Sequence, residues 1–140
     1  LIGPMGVTPA TGSTLVRIML LVAFPAEPVR DSFAHWMFGE STIAQEEIEE
    51  WYHEFVVGVA AKEAPPQTFT PEQLQSAQVP VLLILGKNDN LVGDPEKVKQ
   101  LAWNIPDIQI ELLNAGHGIW IEQPEQVNSL ITEFLEEEGQ

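Results

Sequence analysis

The chain has 140 residues, 44% of them hydrophobic, which is enough for one small domain with its own core, and 8% aromatics including four Trp argue against disorder. Six basic residues against 21 acidic ones leave a formal charge of −15, which repels phosphate backbones and anionic membrane surfaces, so neither nucleic acid nor membrane is an expected partner. The absence of cysteine excludes disulfides, thiol nucleophiles and thiolate-ligated metals, and it leaves the redox compartment unreadable.

The sequence opens at Leu1 without a methionine or a targeting segment, and it reads as a piece of something longer, cytoplasmic by default. The opening LIGPMG, residues 1–6, reads as the end of a buried strand, with two aliphatics running into Gly3, Pro4 and Gly6. Residues 7–78 then turn helical. Ser13 is the expected cap of LVRIMLLVAF, which Pro25 ends; its apolar run from Leu15 to Phe24 is interrupted by Arg17 and is too short to span a bilayer, so a buried helix is expected. Pro28 is expected to open a second helix with Val29, Phe33, Trp36 and Met37 on one face and a stop at Gly39. A capping box of Thr42 with Gln45 predicts a third, carrying Ile48, Trp51, Tyr52, Phe55, Val56 and Val59 at helical spacing. After the stiff linker Ala64-Pro65-Pro66-Gln67, the run Thr70-Pro71-Glu72-Gln73 starts a short helix by its cap, its proline and its acidic first turn.

Residues 79–140 alternate strand and helix. Val81 to Leu85 is an unbroken aliphatic run of the kind buried on both faces. Asp94 caps a helix opened by Pro95 that turns Val98, Leu101 and Ala102 inward, and Ile108 to Leu113 forms the next strand. A strand, a helix and a strand of these lengths imply a parallel pair with a right-handed crossover. A last helix begins at Pro124 with Val127, Leu130, Ile131 and Leu135 at core spacing, and its Glu136-Glu137-Glu138 tail is expected to fray because the helix dipole disfavours anions there.

Each strand runs into a polar loop that offers one titratable side chain, Asp89 and then His117. Parallel sheets bind ligands beyond the carboxyl ends of their strands, and the chain between the two residues holds a loop, a helix, a strand and a turn, so neighbouring strands bring them together. An ionised acid bonded to one imidazole nitrogen fixes the tautomer and leaves the other nitrogen to take a proton from a nucleophile. Gly116 and Gly118 flank the histidine, as a tight turn and close approach of substrate require. An acid followed by a histidine matches the last two members of a triad in the chain order nucleophile, acid, base.

The segments VPVLLILGKNDNLVGDPE and AGHGIWIEQPEQVNSLITEFL resemble the carboxyl-terminal third of an α/β-hydrolase, in which strand-G-x-x-D supplies the triad acid and G-H-x-x-x-x-E-x-P the base. The resemblance implies an α/β fold, the C-terminal part of a parallel-sheet α/β-hydrolase with a helical cap insertion. It implies Asp89 as acid and His117 as base, with Glu122, Pro124 and Val127 fitting the run into the final helix. It makes 1–6 the strand before the insertion, 7–78 the cap or lid, and 79–140 the end of the core. No G-x-S-x-G occurs in the 140 residues, so the nucleophile and the oxyanion loop are expected upstream, on an N-terminal half that acts as partner to this one.

The implied activity is hydrolysis of an ester, amide or related bond of a small-molecule substrate, by an enzyme of which this segment alone is inactive. A non-catalytic ligand-binding protein on the same scaffold, or a relative with an aspartate nucleophile such as an epoxide hydrolase or dehalogenase, remains as an alternative. No cofactor and no metal is implied, because three dispersed histidines without thiols form no zinc signature. Trp36, Trp51, Tyr52 and Phe55 are candidates to line an acyl pocket, with plain core packing as the competing role. His35 and His53 read as surface or packing residues, Ser13 and Ser41 as helix starts rather than nucleophiles, and Asp94, the rival acid, as a cap.

Overall fold

The computed structural model describes residues 1–24, 26–38 and 67–139. Its centre is the strand β1, Val81–Gly86, which pairs in parallel with β2, Ile108–Leu113, in a continuous register from Val81 opposite Ile108 to Gly86 opposite Leu113. The opening residues lie along the other edge of β1. Ile2 bridges in parallel to Ile84, whose N–H donates to the Leu1 carbonyl and whose carbonyl accepts from the Gly3 N–H, each at 2.9 Å. β1 is thus flanked on both edges.

Because side chains alternate across a strand, the aliphatic run of β1 feeds two cores. Leu83 and Leu85 pack on one face with Val7, Val92, Val98 and Ala102, while Leu82 and Ile84 pack on the other with Ala115, Ile119 and Val127. The first face is covered by a helix from Pro95 to Ala102 and the second by one from Pro124 to Glu138. Burying one such leucine completely contributes about 1.5–3 kcal/mol, so β1 contributes strongly to the folding free energy of the described residues.

Among the described residues the helices, in chain order, are α1 (Gly12–Ala23), α2 (Glu27–Phe38), α3 (Pro71–Gln75), α4 (Pro95–Ala102), α5 (Ile119–Glu122) and α6 (Pro124–Glu138). Asp94 caps α4 through the Glu96 N–H and Thr70 caps α3, both as the sequence predicts, and the Gln73 side chain makes the Thr70 cap a reciprocal capping box. Four expectations need correction. The cap of α1 is Thr11, whose hydroxyl oxygen accepts from the Thr14 N–H and also bonds the Ser13 and Thr14 hydroxyls. That network starts the helix one residue before Ser13. Nor is α1 a buried helix: Thr14 and Leu21 are its buried residues, and Leu15, Val16, Met19, Leu20 and Val22 are exposed. In α6 the inward residue of the third turn is Phe134, whereas Leu135 is exposed. The glutamate tail stays helical to Glu138, where the Gly139 N–H closes the last turn on the Leu135 carbonyl at 3.1 Å. The expected helix after Thr42, the Gly39 stop and the proline pair of the linker lie outside the described residues. Among the described residues no helix is long and apolar enough to cross a membrane.

Candidate active site

Asp89 and His117 meet beyond the carboxyl ends of β1 and β2. The backbone brings them there: the Lys87 N–H donates to the Leu113 carbonyl at 2.9 Å and the Asn88 N–H to the Ala115 carbonyl at 3.0 Å, which carries the parallel pairing past both strand ends. Gly86 permits the approach, since a Cβ at that position would lie 2.3 Å from the Gly116 carbonyl oxygen. A side chain of any size would push the two loops apart.

Asp89 is only 2% exposed. A carboxylate so far from water must have its lone pairs filled, and each oxygen has a distinct task. Oδ1 accepts from the backbone N–H groups of Leu91 (2.9 Å) and Val92 (3.1 Å), which fixes the loop, and Oδ2 lies 2.9 Å from His117 Nδ1. An ionised carboxylate can only accept, so Nδ1 carries the hydrogen and, in the neutral ring, Nε2 keeps the lone pair. The imidazole, 14% exposed, also sets its edge against Trp120 with ring centroids 6.1 Å apart.

The turn before the histidine is held by Glu122, both of whose carboxylate oxygens lie 3.0 Å from the Gly116 N–H. Gly116 also admits a close backbone neighbour. The space beside it is occupied by the Phe38 backbone, whose carbonyl carbon would come within 2.6 Å of a Cβ, and neither Gly116 nor Gly118 has a positive φ.

No family model matches the chain. It is 33% identical over 113 residues to carboxylesterase YbfK of Bacillus subtilis (strain 168), an alignment covering 75% of this chain and 38% of that protein. It is 41% identical over 75 residues to the uncharacterized carboxylesterase nap of the same organism, covering 52% of this chain and 25% of the other. Among solved structures, a putative hydrolase from Bacillus subtilis superposes with a TM-score of 0.79 at 27% identity over 96% of this chain and 50% of that one. Naproxen esterase (carboxylesterase NP) from Bacillus subtilis gives 0.76 at 26% identity over 96% and 49%. The chain has part of an α/β-hydrolase fold. It spans about half the length of the solved structures it matches.

In this partial fold Asp94 is the cap of α4, its Oδ1 accepting the Glu96 N–H at 3.0 Å. His35 is exposed, with Nδ1 2.9 Å from the Asp31 carbonyl of its own helix, and the Ser13 hydroxyl is engaged at the start of α1. Of the four aromatic candidates, Trp36 is described: it packs on Phe33 at 5.5 Å between centroids and under the Arg17 guanidinium at 5.1 Å. It also lines a cavity of about 400 Å³ that Asp89, Asn90 and Lys87 share. Trp51, Tyr52, Phe55 and His53 lie outside the described residues. Sequence reasoning gave Glu122 a place in a motif but no task, because its bond to a backbone N–H shows only once the turn is folded.

Proposed function

We propose that this chain supplies the acid and the base of a carboxylic ester hydrolase, with His117 as general base and acid and Asp89 as its orienting carboxylate. The observation that carries the reading is the 2.9 Å contact from His117 Nδ1 to Asp89 Oδ2, which leaves Nε2 with its lone pair. The names of the similar proteins, carboxylesterases, support an ester as the bond broken. The nucleophile belongs to a G-x-S-x-G segment outside these 140 residues, on the half of the fold that pairs with this one. Residues 1–6 and 79–140 serve as core, and the cap lies within 7–78, where Trp36 of α2 faces the substrate cavity.

The chemistry balances on one proton. Nε2 takes it from the nucleophile hydroxyl as oxygen attacks the carbonyl carbon, and Asp89 stabilises the imidazolium. Nε2 then gives it to the departing alkoxide, which leaves as alcohol. Water repeats the sequence on the acyl-enzyme and releases the acid. The test is hydrolysis of a p-nitrophenyl ester by the intact protein and its His117→Ala variant. A kcat loss on the order of 10⁴-fold or more is expected. Ester turnover by the variant at the parent rate would remove His117 from the mechanism, and an inactive parent would favour a binding protein.

A further inference from the structure

We propose that Asn90 is a positioning residue, which with the carboxyl end of α2 clamps the acid loop and the base loop in register. The proposal rests on the assignment of Asp89 and His117 just given. The Asn90 Nδ2 donates to the Trp36 carbonyl at 2.7 Å, across 54 residues of sequence. The next carbonyl of the same helical turn, that of Met37, accepts the His117 backbone N–H at 3.0 Å. Carbonyls in the last turn of a helix are the ones that look outside it for donors, and here two successive ones take one donor from each loop.

Three links thus close a triangle. The acid and base loops are joined directly by the Asn88 N–H on the Ala115 carbonyl, and each is joined separately to α2. Adjacent peptides of a helix hold a fixed spacing, about 1.5 Å of rise per residue, so α2 acts as a rigid gauge between Asp89 and His117. The Phe38 backbone also lies so close to Gly116 that a Cβ there would come within 2.6 Å of it, so the same helix end meets the base loop a second time. Asn90 occupies the loop between Asp89 and Leu91, the residue whose N–H fixes Asp89 Oδ1, so a pull on its side chain acts on the carboxylate directly. Its polarity is also determined: a carbonyl only accepts, so the amide must turn its N–H toward Trp36.

An exposed side chain such as that of Asn90, making one hydrogen bond, has a small effect on overall stability. Misplacement of a reacting group by about 1 Å, by contrast, lowers a rate by about 10²-fold. That contrast separates a positioning residue from a merely structural one. In the intact protein, Asn90→Ala is expected to lower kcat for a p-nitrophenyl ester by about 10- to 100-fold with KM changed less than about three-fold, and Tm by at most about 4 °C. Asn90→Gln, which keeps the donor on a longer arm, should recover part of the loss. The second readout does not need turnover: the proton resonance of the His117 Nδ1–H in histidine-labelled protein is expected to shift or broaden in Asn90→Ala. If the parent splits no ester but that resonance still moves, the hydrolase reading fails and the clamp stands. An unmoved resonance with kcat within about two-fold of the parent overturns the clamp, as does a raised KM with unchanged kcat, which would place Asn90 on the substrate.

Discussion

The strand β1 and the helix α1 have similar apolar composition and opposite fates. Five of the six residues of β1 are buried, whereas Thr14 and Leu21 are the buried residues among the twelve of α1. The difference lies in what each element can cover. A strand with helices on both faces of its sheet has no outer side, so a continuous aliphatic run is its natural sequence. A helix shows every direction to its surroundings, and among the described residues α2 meets α1 along the stripe of Leu21 and Ile18, with the ring of Phe33. An apolar run in a helix therefore reports a demand for cover, while the same run in a central strand reports that cover is present. The same contrast places the chemistry: the pair Asp89 and His117 sits on loops anchored by the fully packed strand.

The largest effect expected from that anchoring concerns Asp89. In Asp89→Asn the side-chain oxygen can still accept from the Leu91 and Val92 N–H groups, so the loop keeps its turn, but the amide then presents N–H to His117. The imidazole is driven to the tautomer with hydrogen on Nε2, which can take no proton from a nucleophile. A kcat loss of about 10⁴-fold, with stability nearly unchanged, is the expected outcome in steady-state assays of the intact protein. A variant that loses its folded structure instead would show that the carboxylate holds the loop by charge as well as by shape.

Next comes the strand itself. Leu83 has no exposed surface and lies in the core that Val98 and Ala102 complete. Leu83→Ala removes those contacts and leaves a cavity that a strand hydrogen-bonded on both edges cannot close by moving. A loss of about 2–5 kcal/mol in urea unfolding is expected. A loss near the bottom of that range would mean that α4 collapses onto the sheet to fill the space.

Much of this architecture is legible in the residues, and the parts that are not share a cause. The bounds of β2, the caps at Asp94 and Thr70, and the meeting of Asp89 with His117 follow from local pattern and from the length that a parallel crossover consumes. Each is decided within a few residues or by counting. The choice of Thr11 over Ser13 turns on three hydroxyls competing at one helix start, where residue type alone does not rank them. Phe134 and Leu135 both stand at core spacing from Val127, and only the direction from which the sheet approaches α6 decides between them. Glu122 and Asn90 are further from reach, because each bonds to a backbone group whose position exists only in the folded chain. Side chains that bind backbone at a distance leave no periodicity behind.

The smallest effect expected is the most informative about α1. Met19 is 70% exposed, so Met19→Ala removes almost no buried surface within these residues and adds the best helix former. Measured on the isolated 140-residue chain, its unfolding free energy should stay within about 0.5 kcal/mol of the parent. The same substitution in a protein that also carries the proposed nucleophile segment is the discriminating measurement. If other residues cover this face there, the loss should rise toward the 2–5 kcal/mol of a buried methionine, and α1 would join β1 as a core element. If the value stays near zero in both, the apolar face is a true surface, and the contrast between helix and strand holds for the whole molecule.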